Sequence, residues 1–403
     1  MRIWISPHCK IVNGYKKSII IDLEKETFYW INKSLADFLR KLEDNVYIDR
    51  IAFSKGSTLK KLYDRNVLTS CEPRGEERRK YTLRRPEPVL HEIWLEITHM
   101  CNLDCFYCCN AYDTRKEVLG LEEWKNILIE AFEQGVKKIK ITGGEPTMHP
   151  HLIELIRFIR ERSDADITVI TNGTLLDENL LDSFKTYDVS VMITIFSHIA
   201  EQHDKLAGKS GSFKTLMKTI PIIQKKGIRL NLGTVMTSAN QDDIKGMQNL
   251  ARGFGIRLNR SMFLPAGKGQ DKTLFPDRKN LVKSSYLRPQ IMKKNIKYFA
   301  RNRFFNSCWY GKLTIRYDGE VFPCSFAKYK DLGNILKNTL KDIIVRNALP
   351  NAWTISKDNI RICKDCEFRY ICFDCRPMAD LLNKETGERA HNCTYDPYNG
   401  KWD

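Results

Sequence analysis

Six short apolar segments alternate with amphipathic helical patterns from residue 92 onward, and this alternation restricts the fold more than any other feature. The segments read IWLEIT, KKIKIT, DITVIT, VSVMITIF, IRLNLGTVM and IRLNRSMF, with helical patterns such as EEWKNILIEAFEQG between them. Strands that alternate with helices pair in parallel, so the pattern predicts an α/β domain, either an open doubly wound sheet or a partial (β/α)6 barrel. In both folds the chemistry lies at the carboxyl ends of the strands, where the connecting loops converge.

The chain is longer than one hydrophobic core usually organises, with 403 residues of which 42% are hydrophobic and 29% charged. We expect three domains: a small αβ domain plus a charged, proline-containing linker over 1–85, the α/β domain over 86–295, and a cysteine-bearing domain over 296–403. No apolar run reaches about eighteen residues, and the N-terminus carries charges where a signal peptide needs an apolar stretch. The sequence therefore predicts a cytoplasmic protein that has no membrane partner.

Thirteen cysteines point to metal centres, because the cytosol keeps thiols reduced and clustered cysteines there usually hold metal. Cys101, Cys105 and Cys108 follow the first predicted strand in a CxxxCxxC arrangement. Three thiolates in one tight loop can hold three irons of a [4Fe–4S] cluster and leave the fourth iron open to a substrate or cofactor. A structural zinc site, which needs four ligands, and three unrelated buried cysteines are the alternatives. Neither alternative explains the missing fourth ligand.

The triad resembles the signature of the radical S-adenosylmethionine (SAM) superfamily, in which an aromatic residue precedes the last cysteine, as Tyr107 does here. The resemblance implies that the amine and carboxylate of SAM bind the open iron. One electron then cleaves SAM to methionine and a 5′-deoxyadenosyl radical, which abstracts a substrate hydrogen. It also implies SAM contacts at the ends of the following three strands, namely Gly143, Gly144, Glu145, Pro146, Thr171, Asn172, Thr194 and Ser197.

These strand-end residues have a competing explanation, since Gly, Thr, Asn and Ser are also common turn and cap residues. Phe196 and Ser197 stand where many relatives of the superfamily carry Asp-Gly, so the ribose contacts at this strand depart from the family pattern. We interpret His203 and Asp204 as a structural cap in preference to an acid–base pair, and we assign no catalytic residue.

Seven further cysteines after residue 300 resemble the SPASM domain, an auxiliary iron–sulfur extension of radical SAM enzymes. The match consists of Cys308 and Cys324 with Gly319 in register, then CxxCxxxxxC and a distant last cysteine. Zinc ribbons compete as an explanation, but seven ligands do not divide into two full zinc sites. The resemblance implies two auxiliary [4Fe–4S] clusters, one on Cys363, Cys366, Cys372 and Cys393 and the other on Cys308, Cys324 and Cys375. The gap between the last two CxxC cysteines, Cys372 and Cys375, is one residue shorter than usual.

The N-terminal segments KKSIIIDL, TFYWI and LADFLRKL resemble the winged-helix-like leader-recognition elements of ribosomal peptide maturases. A generic αβ oligomerisation or capping domain is the alternative. The resemblance implies that a leader peptide adds as a strand at an exposed sheet edge. The formal net charge of +17 would then attract an acidic leader and speed its capture.

Together these features predict a radical SAM/SPASM enzyme that modifies a ribosomally synthesised precursor peptide, with an oxidative thioether or carbon–carbon cross-link as the expected product. It would use three [4Fe–4S] clusters, SAM and an electron donor such as flavodoxin or ferredoxin. An anaerobic sulfatase maturase or a small-metabolite radical SAM oxidase is the alternative within catalysis. The basic charge and CxxC pairs also fit a zinc-rich nucleic-acid-binding protein, but the GGEP sequence after the second strand ranks it lower, and we expect no nucleic-acid partner.

Overall fold

The computed structural model describes residues 3–41, 56–73, 75–109, 119–262, 266–277, 290–291, 295–373, 375–383 and 393–402. The chain forms two compact units, the first made of 1–87, 285–308 and 353–403 and the second of 88–284 and 309–352. Residues 296–403 are thus divided between the two units. The three domains expected from the sequence stay a prediction.

The strands, in chain order, are β1 Trp4–Ile5, β2 Cys9–Asn13, β3 Lys17–Asp22, β4 Thr27–Asn32, β5 Leu68–Thr69, β6 Glu92–Glu96, β7 Lys138–Thr142, β8 Asp166–Thr171, β9 Val189–Thr194, β10 Leu230–Met236, β11 Leu258–Met262, β12 Gln290–Ile291, β13 Lys312–Arg316, β14 Val321–Phe322, β15 Cys372–Phe373, β16 Tyr395–Asp396 and β17 Lys401–Trp402. The helices are α1 Lys33–Lys41, α2 Thr58–Asp64, α3 Gly75–Lys80, α4 Leu121–Glu133, α5 Leu152–Arg162, α6 Glu178–Thr186, α7 Ala200–Ala207, α8 Ser212–Lys225, α9 Ile244–Gly253, α10 Ile296–Phe304, α11 Leu340–Ile343, which continues as a π-helix over Ile344–Trp353, and α12 Arg376–Asn383. No helix among the described residues is long and apolar enough to cross a membrane.

The second unit is built on an eight-stranded sheet in the order β11-β10-β9-β8-β7-β6-β13-β14. The six strands from β6 to β11 lie in chain order, and each pairs in parallel with the next. This confirms the six βα units expected from the sequence and the partial (β/α)6 barrel. β13 extends the sheet in parallel beside β6, and β14 closes it as an antiparallel edge.

Alternating burial along the strands explains why these segments form this sheet. In β7 and β8, every second side chain is fully buried, as shown by Ile139, Ile141, Ile167 and Val169 at 0% exposure. A buried aliphatic side chain of this size contributes about 1.5–3 kcal/mol. The flanking helices place Leu128 and Ile156 in the core. Burial thus fixes the register, because a one-residue slip would turn every buried side chain to the opposite face.

The first unit contains the antiparallel sheet β2-β3-β4, and apolar side chains cover both of its faces. On one face Ile20 lies in a core with residues of α1 and α2, such as Leu39 and Leu62. On the opposite face Ile19 and Ile21 share a core with buried residues from the C-terminal part of the chain. These residues are Phe299, Phe368, Ile371, Cys372 and Tyr395. The N-terminal sheet and the C-terminal cysteine segment therefore fold around one hydrophobic core.

Hydrogen bonds to backbone carbonyls also connect the same two segments. The Tyr15 amide donates to the Asp365 carbonyl at 2.7 Å, and the Arg369 guanidinium donates to the Asn13 carbonyl at 2.6 Å. Because the two segments are separated by about the whole length of the chain, no local sequence pattern predicts these contacts.

Candidate active site

A pocket of about 320 Å³ opens at the carboxyl ends of the parallel strands in the second unit. Its volume is typical of a small-molecule or cofactor site. Its walls include the three cysteines of the CxxxCxxC motif, Cys101, Cys105 and Cys108. The strand ends contribute Thr142, Gly143, Gly144, Ile170, Thr171, Asn172, Thr194, Phe196 and Val235. The structure thus brings the cysteine triad together with strand-end residues of β7, β8 and β9, as the sequence predicts.

Hydrogen bonds from the surrounding loops hold the cysteine loop in place. The Leu103 amide points at the Cys101 sulfur, 3.4 Å away. The Asp104 amide donates to the Ala207 carbonyl at the end of α7, at a distance of 3.1 Å. An N–H directed at a thiolate stabilises its negative charge. The loop is therefore preformed to present thiolates toward the pocket.

Burial raises the pKa of two cysteines of the motif. The pKa of Cys105 is raised to about 12, mainly by burial and then by the nearby Cys108 and Cys101. Burial also raises the pKa of Cys101. Iron ligands must be deprotonated, so cluster assembly at these cysteines releases protons.

The glycine pair after β7 lets the backbone approach the cysteine loop. Gly143 has a φ of +145°, and a Cβ there would collide with the Thr98 carbonyl. A Cβ on Gly144 would collide with the Met100 carbonyl. The Gly144 amide donates to Thr98 at 2.8 Å and the Glu145 amide donates to Met100 at 2.7 Å. Only residues without a side chain allow this close contact.

The Glu145 side chain links the second and third strand ends and is not part of the pocket wall. It is 1% exposed. Its carboxylate accepts hydrogen bonds from the Thr171 hydroxyl at 2.6 Å, the Asn172 amide at 2.7 Å and the Thr147 amide at 3.1 Å. Pro146 is buried at the start of the next helical turn and is also absent from the described walls. The SAM contacts expected at these two residues stay a prediction.

Asn172 connects the third strand end to the cysteine loop. Its side-chain amide donates to the Asn102 side chain at 2.8 Å, and Asn102 in turn donates to Thr174 at 2.8 Å. This chain of hydrogen bonds fixes the loop between Cys101 and Cys105 against β8. Thr171, Asn172 and Thr194 all line the pocket, where SAM contacts were expected.

Ser197 has a different environment from the one expected of a ribose contact. Its side chain is fully buried and its hydroxyl donates to the Asp243 carboxylate. Phe196 occupies the pocket wall in its place and packs edge-on against Tyr107, with ring centroids 5.3 Å apart. The sequence departure at this strand end therefore replaces a polar wall with an aromatic one, and a SAM contact by Ser197 stays a prediction.

Tyr107 provides an independent sign that a polar ligand completes the pocket. Its hydroxyl is buried and has no hydrogen-bond partner among the described residues. A buried hydroxyl without a partner costs free energy. A pocket with three clustered thiols, a backbone cradle that excludes any side chain at Gly144, and an orphaned hydroxyl fits an iron–sulfur cluster with SAM beside it.

Several wall residues were not identified from the sequence, namely Leu103, Asp104, Val235, Lys268 and Phe326. Val235 lies near the end of the fifth parallel strand, so its position could have been inferred from the strand pattern. Lys268 forms an ion pair with Asp104 across the pocket rim. Phe326 follows β14, and no motif marks it.

Cys109 also lies in the pocket wall. From the sequence it is either a buried thiol or an alternative cluster ligand. Burial raises its pKa to about 12.

Asp204 is confirmed as a structural cap. Its carboxylate accepts hydrogen bonds from the Gly211 amide at 2.6 Å, the Ser212 hydroxyl at 2.8 Å and the Phe213 amide at 2.8 Å, at the start of α8. His203 is buried and accepts a hydrogen bond from the Phe196 amide at 3.3 Å, and burial lowers its pKa to about 4. Both side chains are engaged in holding the loop after β9.

The first unit contains a second cysteine cavity. Its walls include the four cysteines expected to share one auxiliary cluster, namely Cys363, Cys366, Cys372 and Cys393. Phe368 and Tyr395 complete the apolar part of the wall. Burial raises the pKa of Cys366 well above its usual range. Four soft ligands around a largely apolar cavity fit an iron–sulfur cluster.

The second auxiliary set is distributed over both units. Cys308 and Cys375 belong to the first unit and Cys324 to the second. Their common ligation of one cluster stays a prediction.

Comparison with known proteins agrees with this geometry. Residues 95–251 match the radical SAM superfamily, and residues 308–367 match the SPASM iron–sulfur cluster-binding domain. The chain is 28% identical to the antilisterial bacteriocin subtilosin biosynthesis protein AlbA of Bacillus subtilis, over 76% of this chain and 71% of AlbA. It is 24% identical to the AdoMet-dependent heme synthase of Methanosarcina barkeri, over 75% of this chain and 95% of that protein. It is also 28% identical to the PqqA peptide cyclase of Gluconobacter oxydans, over 78% and 93% respectively.

Two solved structures share the fold. Streptococcus suis SuiB bound to precursor peptide SuiA superposes with a TM-score of 0.59 at 17% identity and covers 97% of this chain and 99% of its own. Native anSMEcpe with bound AdoMet superposes with a TM-score of 0.59 at 19% identity, over 76% of this chain and 93% of that chain. Domains of these two kinds bind iron–sulfur clusters, and the cysteines and pockets described above fit them. This chain is therefore a radical SAM enzyme with an iron–sulfur SPASM domain.

Proposed function

We propose that this enzyme modifies a ribosomally synthesised precursor peptide and forms an oxidative cross-link between its side chains. The observation that carries the proposal is that the chain has two features together. One is the SAM-type pocket, and the other is an N-terminal sheet that shares its hydrophobic core with residues of the four-cysteine cavity. A small-molecule oxidase has no evident need for such a sheet. The similarity to the bacteriocin biosynthesis protein and to the PqqA peptide cyclase supports a peptide substrate.

The reaction depends on how the protein residues hold the bound groups. When bound, the cluster and SAM supply a 5′-deoxyadenosyl radical that abstracts hydrogen from the substrate. Cys101, Cys105 and Cys108 would ligate the cluster, and the backbone at Gly143 and Gly144 would receive the methionine end of SAM. The apolar wall of Phe196 and Val235 excludes water from the reacting groups.

The β4 edge supplies a site for a leader strand. The sheet order β2-β3-β4 leaves β4 without a second strand partner among the described residues. β4 is also the most exposed of the three strands, with Trp30 45% exposed. An exposed sheet edge binds an extended peptide by continuing the hydrogen-bond ladder.

The cluster cysteines supply the redox part of the proposal. The cavity lined by Cys363, Cys366, Cys372 and Cys393 would hold a cluster able to pass electrons, so that cross-link formation is net oxidative. The initiating electron would come from a flavodoxin or ferredoxin in the cytoplasm, where thiols stay reduced. Replacing a chemical reductant with either protein in the assay tests this part.

The proposal is tested with the anaerobically reconstituted full-length protein and candidate precursor peptides taken from short open reading frames beside its gene. We expect SAM-dependent loss of a pair of hydrogen atoms from the peptide, detected by mass spectrometry, together with deoxyadenosine. Replacing Cys101 by Ala should abolish both products. Deoxyadenosine without any change in peptides that bind the enzyme would contradict the peptide assignment and favour a small-molecule substrate, as for the heme synthase relative.

Backbone methylation of the peptide tests the strand-addition mode separately. A peptide N-methylated at alternate leader residues blocks one hydrogen-bonding edge, whereas methylation at the intervening residues blocks the other. We expect one series to lose affinity at least tenfold and the other to bind as the parent peptide does. Equal losses in both series would mean that the leader does not bind as a strand.

A further inference from the structure

A group of three potential metal ligands lies in the first unit and includes none of the cysteines assigned to a cluster. His8, Cys9 and Asp22 each offer one ligand atom, and these atoms lie within 4.8 Å of one another. All three residues are buried, with exposures of 8%, 3% and 0%. Cys9 lies far along the sequence from the clustered cysteines, and the structure places His8 and Asp22 beside it.

The fold brings the three side chains together through one hairpin. Cys9 and Asp22 are direct cross-strand partners in β2 and β3. Cross-strand partners project to the same face of a sheet. His8 immediately precedes β2, and its carbonyl accepts a hydrogen bond from the Leu23 amide at 2.9 Å. The chain therefore positions the three ligand atoms by backbone pairing and not by flexible surface loops.

The polar atoms of this group are incompletely satisfied. His8 Nε2 and Asp22 Oδ2 are buried and have no hydrogen-bond partner among the described residues. The other carboxylate oxygen, Oδ1, accepts hydrogen bonds from the Glu24 and Lys25 amides at 3.1 and 2.9 Å, and Lys25 Nζ lies 3.7 Å from Oδ2. His8 Nε2 is 4.0 Å from Asp22 Oδ1, too far for a hydrogen bond. A buried imidazole nitrogen that has no hydrogen-bond partner among the described residues thus lies beside a buried carboxylate, and a metal ion bound by both would satisfy it.

The donor set and charge favour zinc. One thiolate, one imidazole and one carboxylate are all common zinc ligands. A divalent ion with Cys9 and Asp22 ionised forms a neutral group, so the thiolate and the carboxylate are buried together without a net charge. A cleft of about 340 Å³ lined by Ser6, Cys9 and Tyr81 reaches the Cys9 member of the group, and a water molecule from this cleft would be the fourth ligand.

We propose that His8, Cys9 and Asp22 bind a zinc ion that fastens the segment before β2 to the end of β3. The ion would be separate from the iron–sulfur clusters and independent of the peptide chemistry. The ion would lie at the end of the β2–β3 hairpin with three protein ligands and one water, an open coordination that differs from a closed structural site with four protein ligands.

The proposal is tested on the full chain after complete iron–sulfur reconstitution, so that iron occupies the cluster cysteines. The protein is incubated with zinc chloride and desalted, and zinc and iron are measured by mass spectrometry. We expect about one tightly held zinc per chain. Cys9→Val and Asp22→Asn should retain almost none while keeping their iron. The exposed Cys71→Ser variant in the same unit is the matched control and should bind zinc as the parent does.

Zinc K-edge absorption on the parent protein answers the question even where a variant fails to fold. We expect one sulfur neighbour at about 2.3 Å and nitrogen or oxygen neighbours at about 2.0–2.1 Å. A shell of several sulfurs would place the zinc on cluster cysteines and overturn the proposal. So would a parent protein that retains no zinc, or a folded Cys9→Val protein that retains as much as the parent.

Discussion

Backbone carbonyls next to the cysteine loop occupy the space that a side chain on Gly144 would need. Substitution of Gly144 therefore tests whether this close backbone approach matters for cofactor binding. We expect Gly144→Ala to push the loop away from β7, because a Cβ would clash with Met100 and lie 2.7 Å from the His99 carbonyl. Such overpacking costs about 1–3 kcal/mol. SAM cleavage should fall about tenfold or more, measured as deoxyadenosine formed by protein with matched iron content.

Gly253 is the matched control for this substitution. It ends α9, and an added Cβ meets nothing within 4 Å. Gly253→Ala should leave SAM cleavage unchanged and stabilise the helix by up to about 1 kcal/mol. Equal activity of the two variants would mean that the close approach at Gly144 has no part in cofactor binding.

Glu92 gives a prediction about acid stability. It is buried at the start of β6, with Lys140 Nζ 3.0 Å away and a hydrogen bond from the Trp94 indole at 2.7 Å. Burial alone would raise the pKa of this carboxyl, but Lys312, Lys140 and Trp94 outweigh it and lower the pKa to about 2. Because the folded pKa lies below the usual value of 4.5, the ionised form stabilises the fold above pH 4.5. That stabilisation disappears as the pH falls toward 2.

We therefore expect Glu92→Gln to lower the free energy of unfolding by about 2 kcal/mol at neutral pH. The gap in melting temperature between the parent and the variant should close as the pH is lowered from about 4.5 toward 2, as followed by calorimetry. The exposed Glu122, paired with Lys125, provides the control, and Glu122→Gln should change stability by less than about 0.5 kcal/mol. A gap that stays constant over this pH range would assign the effect to packing and not to charge.

At the level of single residues, the sequence predicted those whose role follows from a short motif and failed for those that depend on distant contacts. Cys101, Cys105, Cys108 and Tyr107 lie in the pocket because one loop carries them all. Ser197 is turned instead toward Asp243, which lies on a different βα unit. Nothing in the residues around Ser197 encodes that partner.

At the level of secondary-structure elements, substitutions in β3 can test separately the hydrophobic cores on its two faces. Ile20 and Ile21 are neighbours, and both are fully buried. Ile20 packs toward α1 and α2, whereas Ile21 packs toward the core that contains Cys372 and Phe368. Each Ile→Ala substitution should destabilise the sheet by about 2–5 kcal/mol.

Only Ile21→Ala should loosen the auxiliary cysteine cavity. We expect this variant to lose iron from the cluster on Cys363, Cys366, Cys372 and Cys393 faster than Ile20→Ala during incubation with a chelator. The measurement is iron per chain against time, with the melting temperatures of both variants recorded for comparison. Similar iron loss at similar stability would show that general unfolding, and not the shared core, governs the cluster.

The elements themselves were predictable where hydrophobic periodicity is regular. The six parallel strands follow the six apolar segments of the sequence, because each strand buries alternate side chains such as Ile139 and Ile141. β13 was expected as a strand-like piece of a separate C-terminal domain, but it pairs with β6 in the main sheet. The choice of partner depends on the whole sheet, and the KLTIR segment alone does not determine it.

For the molecule as a whole, the shared core changes what removal of the N-terminal region tests. The sequence predicts leader recognition by the domain over 1–85, so removal of these residues is expected to lower the affinity for the leader. In the structure, this segment supplies Val12, Ile19 and Ile21 to the core around Phe368 and Tyr395. It also makes hydrogen bonds to the C-terminal segment, including a bond of 2.6 Å from the Lys17 side-chain Nζ to the Gly400 carbonyl.

We therefore expect a chain lacking residues 1–85 to lose one cluster as well as leader affinity. Iron should fall by about four from the roughly twelve atoms of three [4Fe–4S] clusters. The triad of Cys101, Cys105 and Cys108 belongs to the other compact unit, so deoxyadenosine formation without peptide should persist. Iron analysis and a SAM-cleavage assay on the same preparation separate the two effects. A truncated protein that keeps its full iron complement and loses only leader affinity would show that the N-terminal sheet is a detachable recognition module and that the shared core does not support the auxiliary cluster.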